Sequence, residues 1–172
     1  MQTCKSYTIV NGDYVIFKGK VSQLSNFFEK KFYDEDGTQF LTMEHFFQYK
    51  KAIFFNDTAT AHRILKAPTA LAVKRLARQI RNYNDDEWNM VREEITYKGL
   101  IMKFQDPELR AYLKKCYLCG NKPKYFIENS GHPFWGANIR NISSNIIYNQ
   151  IRGQNKLGVL MNRLARQLFL SR

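Results

Sequence analysis

The stretch Thr42-Met-Glu-His-Phe-Phe-Gln-Tyr-Lys-Lys-Ala52 constrains the chain more than any other. It predicts a helix opening at Thr42, whose side-chain oxygen can accept from a backbone N–H left unpaired in the first turn. On a 3.6-residue period Glu44, Gln48 and Lys51 share one face. Met43, Phe46, Phe47 and Phe54 lie on or beside the opposite, apolar flank. A fold must bury that aromatic flank and still dispose of a carboxylate, an amide and an ammonium, which are costly to bury without partners. Composition alone favours a solvated polar face, with Glu44 helped by the positive end of the helix dipole. The other reading is a pocket in which the cost of burial serves chemistry.

Length and composition narrow the setting. The chain has 172 residues, 44% of them hydrophobic and 15% aromatic. That suits one compact domain over 1–172, and the bulk of it cannot be disordered. No apolar run approaches the ~18 residues that suggest a membrane span, so no membrane partner is expected. The N-terminal Met-Gln-Thr-Cys-Lys-Ser lacks the apolar region of a secretory leader. Three cysteines suit a reducing compartment better than a disulfide framework. An intracellular, cytoplasmic protein is expected, with the nucleus open to it if the source is eukaryotic.

Charge adds a second constraint. Lys and Arg number 27 against 15 Asp and Glu, a formal net charge of +12. The excess is regional. Thr58 to Asn84 holds Arg63, Lys66, Lys74, Arg75, Arg78 and Arg81 and no acidic residue. After Glu128 there is again none, while Arg140, Arg152, Lys156, Arg163, Arg166 and Arg172 follow. Two acid-free basic stretches point to an anionic partner, either a phosphate-bearing small molecule or nucleic acid.

Elements can be placed along the chain. Ser6 to Val10 and Tyr14 to Lys18 read as strands joined at Asn11-Gly12-Asp13, a hairpin signal. Val21 to Phe28 reads as a loop that brings Ser25 and Asn26 close to a core. Phe32-Tyr33 and Thr38 to Leu41 flank a second turn at Asp34-Glu-Asp-Gly37. Helices are expected over Thr58 to Lys66 and through Val73, Leu76, Ala77 and Ile80. The next is capped by Asp85 or Asp86, with Trp88, Val91, Ile95 and Met102 as its apolar stripe and Gly99 weakening its interior. Asp106-Pro107 opens a further helix, Lys124 to Glu128 a strand, and Gln154 to Leu170 an amphipathic helix with Leu157, Leu160, Met161, Leu164 and Leu168 inward. Between the last two lie the punctuated loop Asn129-Ser-Gly-His-Pro-Phe-Trp-Gly136 and a polar stretch, Ala137 to Gly153. The latter reads as a loop or lid that Ile146-Ile147-Tyr148 could tuck in.

Several short pieces stand in a set order: Leu24-Ser25-Asn26-Phe27, Glu44-His45-Phe46-Phe47-Gln48 with Lys51, Ala67-Pro68, Arg78, Trp88, Lys103-Phe104, Phe134-Trp135-Gly136, Asn155-Lys156-Leu157-Gly158 and Leu160-Met161. Together they resemble the NADAR, or YbiA-like, family. The match runs from about Phe17 to Leu168. The resemblance implies a single, mainly helical α+β domain with a few short strands. It also implies an N-glycosidase without a cofactor that cleaves a ribosyl C–N bond. Two substrate classes go with the family: ADP-ribose attached to guanine, and phosphorylated ribosylamino-pyrimidine intermediates of riboflavin synthesis. The basic stretches suit both, and suit the first better if the guanine sits in DNA or RNA, where phosphate contacts dominate affinity. A nucleotide- or nucleic-acid-binding protein that has lost catalysis is the alternative from another class.

The chemistry assigns roles. Breaking a ribosyl C–N bond builds positive charge on the sugar and negative charge on the leaving base. Glu44, matching the family's glutamate, could stabilise the cation, orient sugar hydroxyls or activate water. Lys51, matching its lysine, could attack C1 of an opened ribose if desolvated, or simply hold charge. Trp88 and Trp135, the latter next to Gly136, are expected to supply flat faces. Asn26, Gln48 and Asn155 are expected to hydrogen-bond ribose or base, and Arg78, or Lys74 or Arg75 in its place, to hold phosphate. His132 stands where many members carry Asp. A histidine there could protonate the leaving base, and a purely structural role is the other reading. No metal is expected, since Cys116-x-x-Cys119 has neither a second pair nor a nearby His. His62 is expected to be exposed.

Overall fold

A computed structural model describes residues 6–145 and 147–170. The readings that touch the first five residues, Ile146 and Arg172 lie outside the described residues. The chain is α+β and mainly helical, as expected, and divides into two compact units, residues 1–28 with 107–172, and residues 29–106.

In the first unit, β1 (Tyr7–Asn11) and β2 (Tyr14–Lys18) form the expected hairpin. Asn11 is still paired with Tyr14, so the turn is Gly12-Asp13, with Gly12 at φ +57°. β5 (Tyr125–Glu128) pairs parallel to β2, giving the order β1-β2-β5. The central strand accordingly buries Val15, Ile16 and Phe17 completely. Helices α5 (Pro107–Tyr117) and α6 (Lys156–Phe169) pack on each other, and α6 packs on β5. Leu157, Leu160, Met161 and Leu164 face inward as expected.

The outer edge of β5 is closed by side chains rather than by another strand. Asn155 Oδ1 accepts from Glu128 N–H at 3.1 Å, and its Nδ2 donates to Phe126 O at 2.8 Å. Seven residues on, Asn162 Oδ1 accepts from Phe126 N–H at 3.0 Å, and its Nδ2 donates to Lys124 O at 2.7 Å. Two turns of helix thus present two amides as a substitute ladder to an edge that would otherwise be open for pairing. Residues 137–153 are better anchored than a free lid. Asn138 bridges to Arg152, Ile147–Gln150 form a 3-10 turn, and Ala137, Ile139 and Ile147 are buried with Ile16 and Ile127.

The second unit starts with the hairpin β3 (Phe32–Tyr33) and β4 (Gln39–Phe40). Four helices follow: α1 (Met43–Phe54), α2 (Thr58–Leu65), α3 (Ala70–Ala77) and α4 (Asp85–Lys103). Thr42, Asp57, Thr69 and Asn84 cap them, each accepting the backbone N–H three residues on. The cap of α4 is therefore Asn84. Asp85 and Asp86 instead occupy the first turn, where carboxylates complement the helix dipole. On α4, Trp88 is buried and Val91 and Ile95 pack against the same core cluster, as expected. The helix also buries Thr96, Tyr97, Gly99, Leu100 and Lys103. At Gly99 a Cβ would lie 2.6 Å from the Phe46 ring, so the bare backbone lets α1 approach closely. α3 ends at Ala77, yet Ile80 beyond it is still buried with Ala52, Ile64, Val73 and Trp88.

Candidate functional site

The predicted residues fall in both units. In residues 29–106 the α1 face comes first. Glu44 is only 7% exposed and Gln48 is also buried, so the solvated face favoured by composition is not what the fold makes. Glu44 Oε1 accepts from Gln48 Nε2 at 2.9 Å, one turn apart on the helix. With its NH2 turned to the carboxylate, Gln48 points Oε1 away, and that buried oxygen has no donor among the described residues. Burial raises the Glu44 pKa, opposed by the Gln48 hydrogen bond and then by the charges of Lys74 and Lys51. Lys51, half-buried, has its pKa lowered by desolvation, opposed by Glu44 and Asp85. Its Nζ lies 4.4 Å from the centre of the Tyr83 ring, a cation–π contact.

Tyr83 was not singled out from sequence, and Asp85 only as a helix cap. Tyr83 is 41% exposed, and its hydroxyl donates to Asp85 Oδ1 at 2.6 Å. Desolvation, then Asp85, pushes its pKa up to about 12. The signal available was a tyrosine two residues before an acidic first turn, which is too common a pattern to stand out. The Tyr83 ring is exposed where Trp88 is not. The Trp88 indole is 2% exposed and packed among Phe47, Phe54 and Phe55, with ring centres 5.3, 5.8 and 6.3 Å away. It supports α1 from the core side and presents no open face.

Two further groups stabilise this unit without facing a ligand. His45 is buried, with Nδ1 2.7 Å from Thr42 Oγ1 and Nε2 2.9 Å from Ala67 O. A carbonyl can only accept, so Nε2 carries the proton, and burial lowers the ring's pKa. Asp57 accepts from the backbone N–H of Thr60 and of Arg81 and from the Arg81 guanidinium. The Arg81 backbone hydrogen bond, with the others, holds its carboxyl far below the usual range. Arg78 is exposed at the C-terminal end of α3.

In the other unit, Asn26 sits in the turn series of residues 19–28, and its Oδ1 is buried with no donor among the described residues. His132, Trp135 and Gly136 share one loop. His132 is exposed, and its Nδ1 accepts from the backbone N–H of Phe134 and of Trp135, each at 3.1 Å. The neutral ring must then carry its proton on Nε2. An aspartate would accept the same two amides, which accounts for a histidine standing where the family resemblance leads one to expect Asp. Trp135 is half-buried, edge-on to Phe134 at 4.7 Å. Gly136 is needed as glycine, since a Cβ would meet Ser130 Oγ and Glu128 O. Its carbonyl accepts from the Asn155 N–H at 2.9 Å. Asn155, at φ +48°, has both polar side-chain atoms engaged on β5. Cys116 is buried, Cys119 is exposed, and His62 is exposed as expected. Among the described residues no helix is long and apolar enough to cross a membrane.

Comparison with known proteins bears on this arrangement. The family model for the NADAR domain matches residues 16–169. An N-glycosidase of Acanthamoeba polyphaga mimivirus is 26% identical over 136 residues, 77% of each chain. The N-glycosidase YbiA of Escherichia coli K12 is 27% identical over 139 residues, 80% of this chain and 76% of that one. The NMR structure of E. coli YbiA superposes with a TM-score of 0.69 at 25% identity, covering 94% of this chain and 88% of the other.

Proposed function

Since the chain belongs to the NADAR family, we propose that it is an N-glycosidase that hydrolyses a ribosyl C–N bond, with ADP-ribosylated guanine as its substrate. The observation that carries this reading is the Glu44–Gln48 pair. A carboxylate is held under an amide whose own oxygen is buried and awaits a donor. Unmet buried acceptors are expensive to keep, and a ribose hydroxyl or a base N–H supplies what this one lacks. The basic stretch from Thr58 to Asn84 favours the more phosphate-rich of the two substrate classes. The reading treats residues 1–172 as one functional domain, because the family match runs through both units. An intracellular site of action goes with it.

Glu44 stabilises the positive charge that grows on the sugar as the base departs. Lys51, its pKa lowered, is the nucleophile. Its Nζ lone pair bonds to C1, and the C–N bond breaks with its electron pair passing to the base, which takes up a proton. Ring opening leaves an imine, and water then adds at C1 and releases the amine. Gln48 orients the sugar or base, and Arg78 holds phosphate. His132 keeps the Trp135 turn in shape.

The test is to incubate the protein with an ADP-ribosylated guanine oligonucleotide and, separately, with a ribosylamino-pyrimidine phosphate, and to follow release by mass spectrometry. Release of ADP-ribose from the first is expected. Release from the second alone would move the assignment to riboflavin intermediates. Release from neither would leave a binding protein. Borohydride should trap a Lys51 adduct, and turnover with no adduct would reduce Lys51 to a fixed charge.

A further inference from the structure

The end of α5 carries a feature that neither the core nor the candidate site uses. Cys116 lies in the last turn of that helix and is buried, while Cys119 opens the short 3-10 turn that follows and is exposed. Burial accounts for Cys116, since a thiol packs as a small apolar group. It does not account for Cys119, an exposed thiol from which a stable surface gains nothing. Residues three apart on a helical turn have Cβ atoms about 5–6 Å apart and a disulfide needs about 3.5–4.5 Å, so a small closing movement joins them. Burial raises the Cys116 pKa, against a Tyr112 hydrogen bond, and the neighbouring Cys119 raises it further, which puts the two thiols within electrostatic reach of each other. The turn has room to move: Gly120 stands at φ +70°, and a Cβ added to it would meet nothing within 4 Å. The same open space admits a bulky group on Cys119. Lys114, Lys115 and Lys122 are exposed around the turn, and such a basic rim draws an anionic reagent.

Cys116 is also tied to a distant loop of the same unit. The Tyr112 hydroxyl, one turn earlier on α5, is hydrogen-bonded to both Cys116 and Thr8 of β1. Thr8 Oγ1 lies 2.7 Å from Ser22 Oγ, and Ser22 Oγ accepts from Leu24 N–H at 3.4 Å. A row of hydroxyls thus runs from the thiol pair to residues 19–28, the turn series in which Asn26 Oδ1 is buried with no donor among the described residues. A thiol both donates and accepts, whereas a disulfide sulfur has no proton to give. Joining Cys116 to Cys119 therefore weakens the hold on Tyr112 at one end of the row.

We propose that Cys116 and Cys119 form a reversible dithiol–disulfide site, oxidised by a small anionic disulfide of the glutathione type, and that closing it loosens residues 19–28 through Tyr112. The Cys119 thiolate attacks one sulfur of the oxidant, giving a mixed disulfide and one departing thiolate, which takes up the Cys119 proton. The Cys116 sulfur then attacks Cys119 Sγ, and the second thiolate leaves with the Cys116 proton. The protein loses two hydrogens and two electrons, and the oxidant becomes two thiols. In a reducing compartment such a bond is transient, as suits a sensor. The site stands apart from the N-glycosidase reading, and its test needs no turnover. The full chain is equilibrated in glutathione buffers of rising oxidised fraction, quenched with N-ethylmaleimide, and read by intact mass and peptide mapping. Wild type should lose two labelling sites together and become lighter by two hydrogens, with dithiothreitol reversing both, and C4S should do the same. Cys116→Ala should stop at a glutathione adduct on Cys119, and Cys119→Ser should take up no adduct at Cys116. Wild type that stays reduced in the most oxidising buffer, or that bonds through Cys4 instead, would overturn the site. Hydrogen exchange reads the link to the loop. In the oxidised protein the Leu24 N–H should exchange about tenfold faster, the worth of one hydrogen bond, with β5 unaltered, and reduced Tyr112→Phe should show the same rise. Exchange over residues 19–28 that ignores oxidation, or a rise spread through the whole unit, would overturn the link.

Discussion

The α1 face and the edge of β5 handle buried polar side chains in opposite ways. On α1, Glu44 and Gln48 satisfy each other once, and Gln48 Oε1 is left without a donor. Along β5, Asn155 and Asn162 place every amide oxygen and nitrogen on a strand carbonyl or N–H. The loop at His132 resembles the second case, with Nδ1 shared by two backbone amides. Residue type does not separate the two regions, because both use side-chain amides. What separates them is whether the protein alone completes the hydrogen bonding. Where it does, the residue maintains the fold, and where it does not, an acceptor is left over that a ligand or a water can engage.

The largest test of that contrast is Glu44→Gln. It keeps the shape and removes the charge, so turnover should fall by about 10² to 10⁴ while the melting temperature hardly moves. A large loss of stability would make Glu44 part of the scaffold.

Lys103 tests whether buried charge in this unit always serves a ligand. It is 2% exposed, and burial brings its pKa down to about 7. In the folded state the amine is neutral down to that pH, while the unfolded chain is protonated below about 10.5. Its contribution to stability is therefore present above 10.5, falls by up to about 1.4 kcal/mol per pH unit on the way down to 7, and is flat below. Lys103→Met should be the more stable form at pH 6, with the gap closing by pH 10, as read by urea unfolding. A gap that does not vary with pH would contradict this.

Asn155→Ala removes two hydrogen bonds from the β5 edge and leaves two backbone groups unmet. Unfolding free energy should drop by about 1–3 kcal/mol, with KM little changed in the protein that folds. A raised KM at unchanged stability would break the comparison by making Asn155 a ligand residue. Gln48→Met is its counterpart and should do the reverse. KM should rise about tenfold, the worth of one hydrogen bond to a charged or well-placed group, and the unliganded protein should be no less stable. The smallest effect is expected at the loop. His132→Asp should retain activity because it accepts the same two amides, whereas His132→Ala should lose about 1 kcal/mol. Inactive His132→Asp protein with normal stability would restore His132 as a proton donor.

Much of this was legible in the chain itself. Period and punctuation placed the helices and strands to within a few residues, because each signal is local: Thr42 before an apolar-periodic run, Gly12 where φ must be positive, Pro107 at a first turn. The shared face of Glu44, Gln48 and Lys51 is likewise a consequence of helical pitch alone. The cap of α4 was misread because Asn84 competes with its acidic neighbours, and Gly99 was read only as a weak point because its value lies in a partner helix that the local pattern does not show.

Local pattern determined the polar face and the charge it carries, since both follow from residue spacing and composition. Tertiary packing decided that the face is buried, that Trp88 is enclosed while Tyr83 stands beside Lys51, and that Asn155 and His132 are bound to backbone. The physical reason is that a hydrogen bond has two ends, and the second end of each of these is supplied by a segment distant in sequence or by the way the chain turns back on itself.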